Sequence, residues 1–192
     1  MIVLASASPR RRELLRPYIP ELCVCPADID ERLREGEAVE AYVRRLAYEK
    51  NARVRADRSD QDWVIAADTS VAVGTRILGK PENFAHAAQM WDALQGRWHQ
   101  VWTGVCVAQA DQVLQVQVVT EVWLDTMDEQ ARQRYWHSGE PQDKAGAYAI
   151  QGCGGMFVRA IRGSYSNVVG LPLLETAELL QHLGYRLWEA SA

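Results

Sequence analysis

Apolar and polar positions alternate along this chain in two periods, one of strands and one of helices. Residues 2–5, Ile-Val-Leu-Ala, predict a first strand, and Ser8-Pro-Arg-Arg-Arg-Glu-Leu-Leu then opens a helix. Ser8 fits the N-cap and Pro9 the first helical position, where its missing N–H costs nothing. Leu22–Pro26 predicts a second strand, and Glu37 to about Val54 a long helix with Val39, Val43, Leu46 and Ala47 on one face. Trp63-Val-Ile-Ala-Ala-Asp-Thr-Ser-Val-Ala-Val is a strand pattern interrupted by one acid, followed by a Gly74-Thr75 turn and a return strand ending near Gly79. Pro81 predicts a helix with Phe84, Ala88, Trp91 and Leu94 inward, stopped by Gly96. Strand patterns follow at Val101–Ala108 and Val113–Leu124, and Thr126-x-x-Glu129 reads as a capping box for a helix ending at Gly139. After a glycine-rich loop, Pro172 opens a last helix with Leu173, Ala177, Leu180 and Leu183 inward, closed by Gly184.

Strands and helices interleave, but hairpin-like pairs break the alternation. The expected class is therefore α/β, a mixed sheet flanked by helices rather than a purely parallel one. No G-x-G-x-x-G or Walker loop occurs. The 192 residues suffice for one core or two small lobes around a cleft, burying roughly 70% of the unfolded chain's surface. With 48% hydrophobic and 24% charged residues the composition is that of a globular protein. No apolar run reaches the ~18 to 20 residues of a membrane span. Met1-Ile-Val-Leu-Ala-Ser has no basic region ahead of its apolar stretch, so a first strand is expected there, not a signal peptide, and the compartment expected is the cytoplasm. The net charge of −4 argues against broad nucleic-acid binding. Cys23, Cys25, Cys106 and Cys153 lack paired zinc spacing and are expected to be small buried thiols in a reducing compartment. His86, His99, His137 and His182 show no metal spacing either. Trp91, Trp102 and Trp123 belong to the core or to an interface, and the core is the expected place.

Asp68 is the most informative residue. Its apolar neighbours put its backbone inside the fold, where a carboxylate loses hydration unless a cation or donors compensate. A structural acid satisfied by a nearby turn is the competing reading. Lys50 continues the inner stripe of Val43 and Leu46, so it either meets an anion or snorkels to water. Arg10, Arg11 and Arg12 occupy a helix's first turn, which the dipole disfavours by ~0.3 to 1 kcal/mol each. A phosphate bound there would offset that cost; an exposed basic patch is the alternative, and at most two of the three can touch one ligand. Lys80, in Leu78-Gly-Lys-Pro, is expected directly before a helix start, and Glu31 reads by itself as a loop acid. The segment Asp143-Lys-Ala-Gly-Ala-Tyr-Ala-Ile-Gln151-Gly-Cys-Gly-Gly has polar groups able to read a flat ring, or is a tight turn. Cations at helix ends plus one buried acid suit attack of water on a polyphosphate.

These segments together resemble the Maf family of nucleotide pyrophosphatases. The resemblance lies in Leu4-Ala-Ser-Ala-Ser-Pro-Arg-Arg-Arg-Glu-Leu-Leu, Ala67-Asp-Thr, Gly79-Lys-Pro, Asp143-Lys-Ala-Gly-Ala-Tyr-Ala-Ile-Gln-Gly and Gly163-Ser-Tyr-Ser-Asn-Val-Val-Gly-Leu-Pro-Leu. It implies one Maf-like domain over residues 1–192, with two lobes around a nucleotide cleft, and hydrolysis of the α–β phosphoanhydride dependent on Mg²⁺ or Mn²⁺. It also implies Asp68 as proton acceptor, Arg11, Lys50 and Lys80 as phosphate-handling cations, and Glu31 as a further active-site acid, with Asp68 and Glu31 on the metal. Arg10, Thr69 and Gln151 match the branch acting on dTTP and UTP, and Ser8 joins them in substrate binding. A Gln amide offers one donor and one acceptor to the O4 and N3–H edge of uracil or thymine, whereas a cationic 7-methylated guanine would favour a carboxylate. The implied partner is a small-molecule nucleotide, with no stable nucleic-acid complex and no membrane; a homodimer is one arrangement left open. The alternatives are a 7-methyl-GTP pyrophosphatase and a septum-inhibiting regulatory protein acting through the Arg10–Arg12 patch.

Overall fold

The structure is a computed structural model and describes residues 1–187. Seven strands pair in the order β2-β1-β3-β5-β6-β7, with β4 on β3. Parallel and antiparallel pairs coexist, so the mixed sheet with helices expected from the sequence is the one present. By their internal contacts the described residues form two compact units: Met1–Asp68 with Thr103–Val118 and residues 170–187, and Thr69–Trp102 with Val119–Val169.

In the first unit, β1 (Ile2–Leu4) lies parallel between β2 (Leu22–Val24) and β3 (Trp63–Val73). Ile2 and Leu4 enter one core with Leu15, Ile65, Val105 and Leu180, while Val3 and Ala5 enter another with Val54, Val64 and Ala66. Burial of both faces is why β1 reads as an unbroken apolar run. α1 (Pro9–Leu15) starts at Pro9 as expected, but Ser8 makes no side-chain cap bond. α2 (Val39–Arg55) buries Val43, Leu46, Ala47, Lys50, Asn51 and Val54. Two features set its position. A Cβ on Gly104 would stand 2.4 Å from the Val43 carbonyl oxygen, so only glycine admits the helix this close to β5 (Arg97–Gln109). The Asn51 amide then pins it by donating to the carbonyls of Val64 at 2.6 Å and Cys106 at 3.3 Å. α6 (Leu173–His182) closes the unit; Leu180 is buried, and Gly184 follows at positive φ.

The second unit holds the return strand β4 (Arg76–Leu78), antiparallel to the end of β3, after a turn in which Gly74 has φ +57°. Its core gathers Val71, Leu78, Met90, Trp91, Leu94, Val122, Leu124 and Tyr135 from β3, β4, α3 (Phe84–Leu94), β6 (Gln112–Leu124) and α4 (Glu129–His137). Several expectations are corrected here. α3 begins at Phe84 and not Pro81, because Asn83 is the cap and accepts from His86 N. α4 is capped by Asp128, whose carboxylate accepts from Ala131 N, so Thr126 is not its cap. The glycine-rich loop contains a strand, β7 (Val158–Arg162), antiparallel to β6, and a short helix, α5 (Tyr165–Val169). Trp91 is buried, but Trp102 is half-buried, and Trp123 is half-buried against Trp98. Of the cysteines only Cys106 is buried; Cys153 is exposed, and all four are free.

Candidate active site

Asp68 sits mid-strand in β3 with Ala66 and Ala67 fully buried before it, and is itself 8% exposed. Lys50, also 8% exposed, comes to it from α2: Nζ donates to Asp68 Oδ1 at 2.7 Å. The same ammonium lies 2.7 Å from Glu31 Oε1. The inward lysine has therefore met anions; snorkelling is not its role. Arg11, the middle of the three arginines, is the buried one. It donates from Nε to the Gly170 carbonyl at 2.7 Å and from Nη1 to Ser6 Oγ at 3.1 Å. Arg10 is half-buried and Arg12 exposed, as consecutive positions on a helix require.

Burial pushes the Asp68 carboxyl above its ordinary range, while Lys50 and then Arg11 pull it down and Glu31 adds to the rise. Arg11 is lowered by its own burial, a shift that Asp68 opposes. The centre is thus a carboxylate short of water, whose charged form two cations favour against the effect of burial. Such a group can accept a proton more readily than an exposed aspartate.

Glu31 reaches Lys50 from a segment that is tied down residue by residue. Tyr42 Oη donates to the Glu31 carbonyl at 2.8 Å, and the Tyr42 hydroxyl is pushed up to about 12 by burial, with Asp68 and Glu31 adding to the shift. Arg45 on α2 grips Glu37 through Nε at 2.6 Å and Nη2 at 2.7 Å, donates to the Arg32 carbonyl at 3.1 Å, and reaches Glu49 at 3.2 Å. Arg34 adds a second contact to Glu49 at 3.0 Å. Ser6, Tyr42, Arg45 and the Gly170 carbonyl were not singled out in the sequence, although Ser6 and Gly170 lie inside segments that carry the family resemblance.

The first unit therefore brings Arg11, Glu31, Lys50 and Asp68 together, with Arg10 and Ser8 on the same α1 segment. Thr69, Lys80 and Gln151 belong to the second unit. Lys80 is exposed and three residues ahead of the Asn83 cap, so it does not stand directly before a helix start. Among the described residues Arg10 and Lys80 carry no ion pair, and the Gln151 amide carries no hydrogen bond. Gly146 N donates to the Gly79 carbonyl at 3.0 Å, which ties the Asp143–Gln151 segment to the one bearing Lys80. Lys144 pairs with Asp143.

No group of three or more His, Cys, Asp or Glu side chains suited to a metal forms among the described residues. The donor set on offer is two carboxylates, with Lys50 touching only Oδ1 of Asp68 and Oε1 of Glu31. Two carboxylates completed by phosphate oxygens and water fit a hard divalent cation such as Mg²⁺.

Fold and centre define an α/β protein whose buried carboxylate is held by an ammonium and a guanidinium. A HAM1 protein from Coxiella burnetii has a similar fold, with TM-score 0.50 and 15% identity over 94% of this chain and 98% of that one. The family model described as Maf-like protein matches residues 1–183, and the chain belongs to the Maf family. A dTTP/UTP pyrophosphatase of Myxococcus xanthus is 52% identical over 192 residues, covering 100% of this chain and 97% of the relative. One of Hahella chejuensis is 48% identical over 189 residues, covering 97% and 94%.

Proposed function

We propose that this protein is a nucleoside triphosphate pyrophosphatase that hydrolyses dTTP and UTP to the nucleoside monophosphate and pyrophosphate. The observation that carries the reading is the contact of buried Asp68 with Lys50, in a chain that matches dTTP/UTP pyrophosphatases over nearly its whole length. Water attacks the α-phosphorus, its oxygen forming the new P–O bond. The bond to the bridging oxygen breaks, that electron pair leaves with pyrophosphate, and Asp68 takes the water's proton. Its raised pKa makes it the stronger base, and Lys50 and Arg11 oppose that rise by favouring the charged form.

Arg11, Lys50 and Lys80 are assigned to the phosphates and Arg10 to substrate specificity; for Lys80 and Arg10 the support is that neither carries an ion pair among the described residues. Ser8 and Thr69 are assigned to substrate binding. Gln151 is assigned to the base, its amide matching the O4 and N3–H edge of uracil or thymine. Asp68 and Glu31 would hold the divalent cation, Mg²⁺ or Mn²⁺. When bound, that ion supplies charge neutralisation at the phosphate oxygens. The compartment assigned is the cytoplasm, with which four free thiols agree. No helix among the described residues is long and apolar enough to cross a membrane.

The test is pyrophosphate release from a nucleotide panel, with and without Mg²⁺ or Mn²⁺. Preference for UTP and dTTP, dependent on the ion, is expected. Preference for 7-methyl-GTP would overturn the assignment of Thr69 and Gln151, and no release from any nucleotide would overturn the enzyme reading.

A further inference from the structure

Gln151 is half-buried, and its amide makes no hydrogen bond among the described residues; the glycine-rich run Gly152-Cys-Gly-Gly follows it directly. The segment is held from both sides by one carboxylate. Glu140 Oε1 accepts from Gly154 N at 2.8 Å and from Tyr135 Oη at 2.7 Å, and Oε2 accepts from Cys153 N at 2.8 Å. Tyr135 Oη in turn accepts from Ala149 N at 3.0 Å. The backbone is thereby gripped two residues before Gln151 and at two and three residues after it. Gln151 itself is extended, at φ −87° and ψ 156°, with its side chain left out of the network.

The glycines fit this grip closely. A Cβ on Gly152, where φ is +73°, would stand 2.2 Å from Glu140 Oε2. One on Gly154 would stand 2.3 Å from both the Ala149 carbonyl oxygen and Tyr135 Oη. Side chains at either place would push the segment off the carboxylate, so this run is small because it wraps Glu140. Tyr135 is 3% exposed, and burial followed by the Glu140 hydrogen bond raises its hydroxyl, which keeps it a donor.

We propose that Glu140 is a positioning residue for nucleobase recognition: its carboxylate, with Tyr135, holds the 149–154 segment so that the Gln151 amide faces the pyrimidine edge. The inference rests on the assignment of Gln151 to the base. A carboxylate is the right group because it offers acceptors only, and each of its three partners is a donor. A Gln in its place would turn an NH₂ towards a backbone N–H or a hydroxyl.

The experiment measures kcat and KM for UTP and GTP in the wild type, Glu140→Gln, Gln151→Ala and the double variant. Glu140→Gln is expected to raise KM for UTP roughly tenfold, equivalent to about 1.4 kcal/mol. Its kcat should stay near the wild-type value, while the preference for UTP over GTP falls. Adding Glu140→Gln to Gln151→Ala should cost no further preference, because one acts through the other. Equal loss of kcat on both nucleotides, or preference losses that multiply in the double variant, would assign Glu140 a structural role and overturn the proposal. If Gln151→Ala loses the preference and Glu140→Gln keeps it, this proposal alone fails. If Gln151→Ala keeps it, the assignment of Gln151 to the base fails and the proposal with it. Should Glu140→Gln not fold, Tyr135→Phe removes the hydroxyl from Ala149 N and from Glu140 and is read by the same outcomes.

Discussion

Lys50 Nζ stands 2.7 Å from a carboxylate oxygen on each side, yet the two acids come from regions built in opposite ways. Asp68 is part of a strand covered on both faces, and its side chain is 11% exposed; the side chain of Glu31, in an irregular segment, is 51% exposed. Equal distances do not make equal interactions. An exposed pair is worth about 0–1 kcal/mol, whereas taking one partner from a buried pair costs about 3–5 kcal/mol. The strand holds its acid by packing, and the loop holds its acid by a lattice of arginine contacts. Under the proposed reaction the first suits a proton acceptor that must keep one geometry. The second suits an acid that admits an ion and a substrate.

Short of changing Asp68 itself, the largest effect is expected from Lys50→Gln, which leaves a buried carboxylate without its ammonium. Turnover of UTP should fall about 100-fold or more, the scale of losing one charge-stabilising donor. Because Lys50 lowers the Asp68 pKa, the acid limb of a kcat–pH profile should move to higher pH in the variant. An unmoved limb would separate Asp68 from the acid–base step. Glu31→Gln should cost less, roughly tenfold at limiting Mg²⁺ and less at saturation, since one of two carboxylates remains. A Mg²⁺ titration of activity reads this, and an unchanged midpoint would remove Glu31 from the metal.

The smallest effect is expected from Arg45→Gln, which loosens the Glu31 segment without touching the centre; a loss of only a few-fold in kcat/KM should result. Its signature lies in stability. The Arg45 hydrogen bonds draw Glu37 down from 4.5 to about 2, so the pair's contribution is present above the ordinary glutamate pKa and is lost as pH falls towards about 2. Melting temperatures of wild type and variant should therefore converge across that window. Constant separation would show that the Arg45–Glu37 pair does not hold the segment.

The legible parts of this fold were those where pattern and packing agree. β3 runs over Trp63–Val73 as read, because one acid in an apolar run still leaves a strand pattern. Lys50 was recognisable as inward because it keeps the helical spacing of Val43 and Leu46. The α3 start was misread because Pro81 is an acceptable first residue, and only the Asn83 contact with His86 N decides the cap. β7 was missed because its five residues, Val-Arg-Ala-Ile-Arg, become a strand by pairing with β6. The Glu140 network was out of reach of spacing, since it joins backbone N–H groups to side chains 13 and 14 positions away through a fold in the backbone.

One comparison bears on the centre most directly: pyrophosphate release from UTP by Asp68→Asn, measured beside its melting temperature. Replacing Asp68 relieves a buried carboxylate of its desolvation but leaves Lys50 and Arg11 without its charge, so the melting temperature is read only to establish that the variant is folded at the assay temperature. At pH 7 the folded variant should release no pyrophosphate. Release near the wild-type rate from the folded variant would contradict the role given to this carboxylate.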